Sequence, residues 1–330
     1  MKIVVFAPMA PWINGGQPRV LKEHEKRMDL EIYSTNTDEN ECGKFNNVTV
    51  FKAYIEAYLF SPGIFKTKKV EKVLAHGYTT FLPLIASIKG KELYFMPHYH
   101  DEASNLFFKI LRKIYDPTIG SYLMHRAKKI FCVSEFEKKS IIDKFNINLK
   151  KIVVVYNGID LKKFEKIKSY KTNKNIILYI GRLEKYKNIQ FLIKAMKYLP
   201  NFELKIIGNG PYKKDLIKIA NERIEFLENL SDYEVLRWYK TCSVFVTLSD
   251  IEAFGITVIE ALASGKPVVV NDATSLKEFA EKFEDVKKID IHKKSIIQVA
   301  KMIKKTSKIT VKKVDLSDYD WDKICKRIEN

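Results

Sequence analysis

Cysteine is scarce in this chain. Four residues, at positions 42, 132, 242 and 325, are spread over a length of 330. No two stand at Cys-x-x-Cys spacing, and no histidine pair has the spacing of a helical zinc-protease motif, so neither a disulfide framework nor a metal site is expected. No apolar run approaches the roughly 20 residues that a helical bilayer span requires. The opening segment Met1-Lys2-Ile3-Val4-Val5-Phe6-Ala7-Pro8 is apolar but ends at a proline with no small-residue cleavage site, and reads as a buried first strand rather than a secretory signal. These absences predict a reducing, cytoplasmic setting. There is also no short-period repeat and no low-complexity tract. No Gly-x-Gly-x-x-Gly follows the first strand, which removes the fingerprint of a dinucleotide-binding dehydrogenase. Helix-turn-helix, zinc-finger and RNA-binding aromatic signatures are missing too, so no nucleic-acid partner is expected.

What is present is ordinary globular material, 46% hydrophobic and 12% aromatic, which excludes a disordered chain. The formal charge is +18, from 58 Lys and Arg against 40 Asp and Glu. Such an excess favours anionic partners: nucleic acid, an anionic membrane leaflet or phosphorylated small molecules. A lysine-rich solvated surface accounts for it equally well.

Short apolar runs alternate with longer amphipathic stretches along the whole chain. Strand-like runs fall at 3–7, 30–33, 48–51, 72–75, 93–96, 129–133 and 152–155, and a second series at 176–180, 203–207, 224–226, 244–247 and 267–270. Helical patterns lie between the later runs, at 188–198, 212–220, 232–240 and 256–263. This alternation predicts an α/β fold of parallel sheets covered by helices. The expected organisation is two Rossmann-like domains facing across a cleft: 1–157, completed by a C-terminal helix at 316–330 that crosses back; a Lys-rich linker, 158–174; and 175–315. Ligands of such sheets bind beyond the carboxyl ends of the strands.

The segment from Ser249 to Val270 carries the most chemistry. A strand runs into a loop, a helix starts at Gly255, and Gly265-Lys266-Pro267 ends it, with Gly265 as a left-handed cap. A helix start presents unpaired amides and a positive dipole end, so Gly255, Ile256 and Thr257 form a ready anion site next to Phe254. Glu252 stands just outside the helix and Glu260 about two turns further in. One carboxylate at each place can accept hydrogen bonds from sugar hydroxyls while the amides hold a diphosphate.

The stretch Asp250-Ile251-Glu252-Ala253-Phe254-Gly255-Ile256-Thr257-Val258-Ile259-Glu260, continuing through Gly265-Lys266-Pro267-Val268-Val269, resembles the signature of the retaining glycosyltransferases of family 4, whose fold is GT-B. Two glutamates separated by seven residues are its hallmark. The resemblance implies that Glu252 contacts donor-sugar hydroxyls and that Glu260 binds the nucleotide ribose. Gly181-Arg182-Leu183-Glu184-Lys185-Tyr186-Lys187 is similar to a second element of the family, and there Arg182 and Lys187 would neutralise the departing diphosphate. Gly208-Asn209-Gly210-Pro211 matches the turn that lines the nucleotide pocket, with Gly181, Asn209 and Gly210 at it. Asn157-Gly158-Ile159-Asp160 resembles the domain-connecting element.

The first half matches more loosely. Gly15 and Gly16 stand where the family brings a Gly-Gly loop to the donor phosphates, a place where small residues are needed. In Met96-Pro97-His98-Tyr99-His100, His98 is the choice for the family histidine beside the donor sugar, with His100 its rival. Ser134 of Val133-Ser134-Glu135 would face the cleft, and His76-Gly77 resembles an acceptor-side element. Glu278 aligns with a nucleotide-side glutamate, although the Gly-Gly that precedes it in the family is absent.

The implied reaction moves a sugar from a nucleotide diphosphate to the hydroxyl of a glycan, a lipid or another acceptor. It needs no cofactor, and with no Asp-x-Asp motif it is expected to be metal-independent. A front-face path, with the leaving phosphate assisting deprotonation of the acceptor, comes from the resemblance. Two segments mix aromatic or aliphatic residues with basic ones, 58–69 and 105–113, and suit peripheral contact with an anionic membrane. The alternatives are another GT-B enzyme, such as a sugar-phosphate synthase or a phosphorylase, or a basic nucleic-acid-binding protein.

Overall fold

The computed structural model describes residues 3–8, 16–36, 42–52, 66–78, 80–100, 106–312 and 314–329. The chain divides into two compact units, Met1–Gly158 with Trp321–Asn330, and Ile159–Asp320.

The first unit holds the strands β1 (Ile3–Phe6), β2 (Leu30–Asn36), β3 (Gly43–Phe45), β4 (Val48–Lys52), β5 (Val70–His76), β6 (Gly90–Met96), β7 (Lys129–Cys132) and β8 (Ile152–Val154). Their order is β3-β4-β2-β1-β5-β6-β7-β8, parallel throughout except for β3, which pairs antiparallel to β4. Its helices are α1 (Gly16–Glu25), α2 (Leu82–Lys89), α3 (Leu106–Tyr115), α4 (Ser121–Arg126), α5 (Glu135–Phe145) and, from the far end of the chain, α13 (Trp321–Glu329).

The second unit contains β9 (Asn175–Ile180), β10 (Phe202–Ile207), β11 (Ile224–Leu227), β12 (Val244–Thr247), β13 (Val268–Asn271) and β14 (Val286–Ile289). Its helices are α6 (Leu161–Glu165), α7 (Ile189–Ala195), α8 (Lys213–Lys218), α9 (Asp232–Thr241), α10 (Ile256–Ala263), α11 (Leu276–Lys282) and α12 (Ile296–Thr306). This sheet is wholly parallel, in the order β11-β10-β9-β12-β13-β14.

Both sheets form because parallel strands with helices on each face need apolar side chains on each face. Every residue of Val244-Phe245-Val246-Thr247 and of Val268-Val269-Val270-Asn271 is buried. The helices start where the sequence supplies caps. Ser231 with Glu234 and Ser295 with Gln298 close capping boxes at α9 and α12, each satisfying amides that a helix start leaves unpaired.

Strand order fixes where a ligand belongs. In the second sheet the order in which strands are added reverses at β9: β10 and β11 lie on one side, β12 to β14 on the other. A doubly wound sheet opens a crevice at such a switch point, outside the carboxyl ends of the flanking strands. Here those ends lead into residues 181–188 after β9 and 248–255 after β12, the two segments in which the sequence concentrates its glycine, basic and acidic residues.

Candidate active site

Two turns at the carboxyl edge of the second sheet pack backbone against backbone. A Cβ on Gly208 would come within 2.1 Å of the Gly181 carbonyl oxygen, and one on Gly210 within 2.5 Å of that of Leu183. Only glycine permits this approach. The turns are laced by Gly181 N–H to Ile207 O at 3.0 Å and Leu183 N–H to Asn209 O at 2.9 Å. The Asn209 side chain accepts from the Gly210 amide at 2.7 Å. Below them the Tyr179 hydroxyl donates to the Arg182 carbonyl at 3.0 Å.

This rigid floor presents two cations. Arg182 has a side chain 72% exposed and bonds Glu184 at 2.8 Å. Lys187 is largely buried and reaches across to the Glu252 carboxylate from the loop after β9. The two residues whose expected partners are the diphosphate and the sugar are therefore in contact with each other.

The loop 248–255 is fastened at several points. Asn188 donates to Leu248 O at 3.0 Å, and the Asp250 amide donates to Tyr186 O at 2.9 Å. The Asp250 carboxylate accepts from Asn271 Nδ2 at 2.9 Å and lies 2.8 Å from His292 Nε2. These contacts tie the loop to the ends of β13 and β14. Asp250 opens the signature stretch but has no role there from sequence, and Asn271 and His292 belong to no motif; their contacts form only where the parallel register sets the strand ends side by side.

Gly255 then makes the turn into α10 with φ of 101°. That is the left-handed region, where a side chain is strained, and a Cβ there would also meet Leu276 at 3.0 Å and Phe279 at 3.2 Å. The helix begins at Ile256, and the Val258 amide donates to Gly255 O at 3.0 Å, which leaves the amides of Ile256 and Thr257 as the ones a helix start presents to a ligand. Phe254 does not present its ring to this surface. It is buried against Phe279 and Tyr319, at centroid distances of 5.4 and 6.0 Å, and anchors the loop from beneath. Glu260 is 4% exposed, and its Oε2 accepts from the buried Tyr239 hydroxyl at 2.9 Å. Tyr239, on α9, likewise belongs to no motif. Glu278 lies in the first turn of α11, its amide donating to Ser275 O at 3.2 Å.

In the first unit His98 occupies the turn after β6 with φ of 52°. Its ring lies 5.7 Å from that of His76, which lies 5.7 Å from that of His24. Trp321 meets His24 edge-on at 5.6 Å. Both ring nitrogens of His24 and His76, and Nε2 of His98, are buried without hydrogen-bond partners among the described residues. Burial, then the neighbouring His100, lowers the pKa of His98 to about 4; burial, then His98, lowers that of His24 to about 3; His76 moves the same way, from burial and its two neighbours. His98 is thus a neutral imidazole at ordinary pH.

The backbone of this turn is held by a residue that no motif predicted. Buried Glu137 accepts from the Tyr99 amide at 2.5 Å and the Val133 amide at 2.6 Å, joining the ends of β6 and β7. Ser134 is buried and its Oγ accepts from the Glu137 amide at 3.0 Å, which makes it the N-cap of α5. The His100 carbonyl accepts from Arg112, whose guanidinium lies 4.8 Å from the centre of the Tyr99 ring. His76 ends β5. Gly16 opens α1, and Gly15 lies outside the described residues.

Against known proteins, the pattern described as "Glycosyl transferases group 1" matches residues 161–319, and that of "Glycosyltransferase Family 4" matches residues 48–163. The chain is similar to an uncharacterized glycosyltransferase of Methanocaldococcus jannaschii, 26% identical over 84% of this chain and 81% of the relative. It also resembles the alpha-monoglucosyldiacylglycerol synthase of Streptococcus pneumoniae, 26% identical over 77% of this chain and 66% of that protein. With the O-antigen chain mannosyltransferase of Salmonella typhimurium it shares 30% identity, over about half of each chain: 49% of this one and 47% of the other. Among solved structures, a sucrose-phosphate synthase of Thermosynechococcus elongatus superposes with a TM-score of 0.79 at 14% identity, covering 100% of this chain and 98% of that one. Anabaena HepE in complex with UDP and glucose superposes at 0.75 and 17% identity, covering 99% and 98%.

Proposed function

The chain belongs to the group 1, family 4 glycosyltransferases, enzymes that draw on nucleotide-sugar donors, and on that premise we propose that it is a retaining hexosyltransferase whose donor site is built by the second unit. One arrangement carries this reading: Glu252 and Glu260 flank the Gly255 helix start at the switch point of the sheet, with Lys187 reaching Glu252 from the loop after the neighbouring strand β9.

Each residue then has a task. Glu260, oriented by Tyr239, accepts from the ribose hydroxyls. The first-turn amides of Ile256 and Thr257 receive the diphosphate, with the positive helix end behind them. Lys187 and Arg182 add positive charge where negative charge grows as the nucleoside diphosphate departs. Glu252 accepts from sugar hydroxyls. The acceptor oxygen bonds to the anomeric carbon on the face the diphosphate leaves, and its proton passes to the leaving phosphate oxygen. Neutral His98 serves the sugar or acceptor as a hydrogen-bond donor, and His100 is its rival. Gly15, Gly16 and Ser134 are proposed as substrate-side residues of the first unit, although Ser134 already spends its hydroxyl on a helix cap. With amides and two cations to hold the phosphates, transfer proceeds without a metal, and activity that collapses in EDTA would contradict this.

The test is release of nucleoside diphosphate from UDP-glucose, UDP-galactose and GDP-mannose, with and without candidate glycan and lipid acceptors. One donor should be consumed, and Glu252→Gln should slow it by about 100-fold, the scale of losing a transition-state contact. Full activity in that variant would remove Glu252 from the reaction.

A membrane-proximal acceptor is favoured by α3. Its Ile110 and Ile114 are 55% and 65% exposed, next to exposed Leu111 and Lys113. Exposed apolar residues beside lysines on a helix suit insertion at an anionic surface. Of the other expected basic–aromatic patch, residues 58–65 lie outside the described part. No described helix is long and apolar enough to cross a membrane, so contact of this kind would be peripheral.

A further inference from the structure

The loop that carries Glu252 is seated on the start of α11, at the adjacent residues Thr274 and Ser275. The Glu252 amide donates to Thr274 Oγ1 at 3.2 Å. The Ser275 hydroxyl lies 2.9 Å from the Glu252 carbonyl oxygen and 3.0 Å from that of Phe254. Both backbone groups of Glu252, and the carbonyl just before Gly255, are thus bound by two adjacent side chains.

Two features set these contacts apart from ordinary loop packing. Thr274 adopts φ of 45°. A β-branched residue in the left-handed region is a conformational outlier, kept only where surroundings enforce it, and such outliers gather at functional sites. Ser275 stands at the N-cap of α11, where a serine usually binds an amide of its own helix. It makes no cap bond, and its buried hydroxyl turns to the loop instead. One residue gives up its preferred backbone conformation and the next its preferred partner, and both bonds converge on Glu252. Leu276 and Phe279, one and four residues further on, close against the missing Cβ of Gly255.

We infer that Thr274 and Ser275 are positioning residues for sugar transfer: their hydroxyls fix the backbone of Glu252, and so the place of its carboxylate, relative to the amides that begin α10. The inference rests on the reading of Glu252 as the sugar-facing carboxylate. The ribose is gripped from other elements, by Glu260 and Tyr239, and the diphosphate amides of Ile256 and Thr257 belong to α10, whose start Gly255 sets by its own left-handed turn. The clamp on Glu252 therefore acts on turnover far more than on nucleoside diphosphate affinity.

The experiment uses the full chain and the variants Thr274→Val, Thr274→Ser and Ser275→Ala, with Glu252→Gln as reference. Valine keeps the shape and the backbone strain of threonine and removes only the acceptor; serine keeps the acceptor. Hydrogen exchange is followed in the peptide 248–256. Affinity for UDP and GDP is measured by calorimetry, and kcat on the fastest of UDP-glucose, UDP-galactose and GDP-mannose. Thr274→Val and Ser275→Ala should exchange faster in that peptide and lose about tenfold or more in kcat, the cost of a misplaced contact. Their nucleoside diphosphate affinity should stay within about threefold, and Thr274→Ser should behave as wild type. Unchanged exchange or unchanged kcat in Thr274→Val would overturn the inference. A parallel fall of affinity and kcat would also overturn it, since that marks general loosening of the unit. If Glu252→Gln retains full kcat, or no donor is consumed, the underlying reading fails instead, while the exchange data still show whether the hydroxyls hold the loop.

Discussion

Tyr239 lends Glu260 its orientation through a bond of 2.9 Å between two buried groups. Removing the hydroxyl leaves the carboxylate oxygen to find another partner, at a cost of about 1 kcal/mol or a little more. Tyr239→Phe should weaken nucleoside diphosphate binding by about five- to tenfold in calorimetry while the protein stays folded; equal affinity would show that the ribose does not depend on Glu260. Glu252 and Glu260 were readable from sequence because their spacing is itself the signal. Tyr239, Asn271 and Glu137 were not, since each acts on a residue distant in sequence, through register that no local pattern encodes.

The histidine column sets a second prediction at this scale. His24 and His98 titrate in the folded protein near 3 and 4, below the 6.5 of an unperturbed histidine. Between those values the unfolded chain binds more protons than the folded one, so stability is complete above about pH 6.5 and falls as pH drops toward 4. Glu137 acts in the opposite sense. Burial, against the pull of its two amide donors, raises it to about 8, so its contribution is full below 4.5 and is lost as pH rises through 8. Urea titrations from pH 4 to 8 should show Glu137→Gln flattening the alkaline limb and leaving the acid limb in place. An unchanged alkaline limb would mean that Glu137 is ionised in the folded chain.

At the scale of elements, α10 depends on the turn that starts it. Gly255→Ala must place a Cβ at φ of 101° and 3.0 Å from Leu276. The expected loss is about 1–3 kcal/mol of stability, seen as a lower Tm, together with weaker diphosphate binding as the first-turn amides shift. Wild-type values for both would contradict the role given to this helix start. Most strands were legible from apolar runs alone. Two were not. β3 is three exposed residues paired antiparallel at the sheet edge. The other, β14, reads Val286-Lys287-Lys288-Ile289, with lysines where a central strand would be apolar. Short or charged strands at an edge are how sheets avoid unwanted pairing, and the same device hides them from a hydrophobic pattern. Likewise α6 sits in a Lys-rich stretch that reads as featureless, held by the single buried Phe164.

For the molecule as a whole, the two sheets and their doubly wound character follow from the alternation of strand and helix patterns, and the GT-B neighbours share that architecture. What the alternation does not encode is the acceptor. The net charge of +18 and the exposed Ile110 and Ile114 predict co-sedimentation with vesicles rich in anionic lipid at low salt. The double variant Ile110→Asp, Ile114→Asp should lose it, while binding that survives both charges would place the contact elsewhere.

The second unit, as proposed, grips a nucleotide sugar through Glu260 and the cations beside β9. Thermal shift against UDP-, GDP- and ADP-sugars tests it most directly, with wild type beside Glu260→Ala and Arg182→Ala. One nucleotide class should raise the Tm of wild type by several degrees at saturating ligand, and both variants should respond weakly or not at all. No shift with any nucleotide sugar, or equal shifts in all three proteins, would contradict the assignment of this pocket.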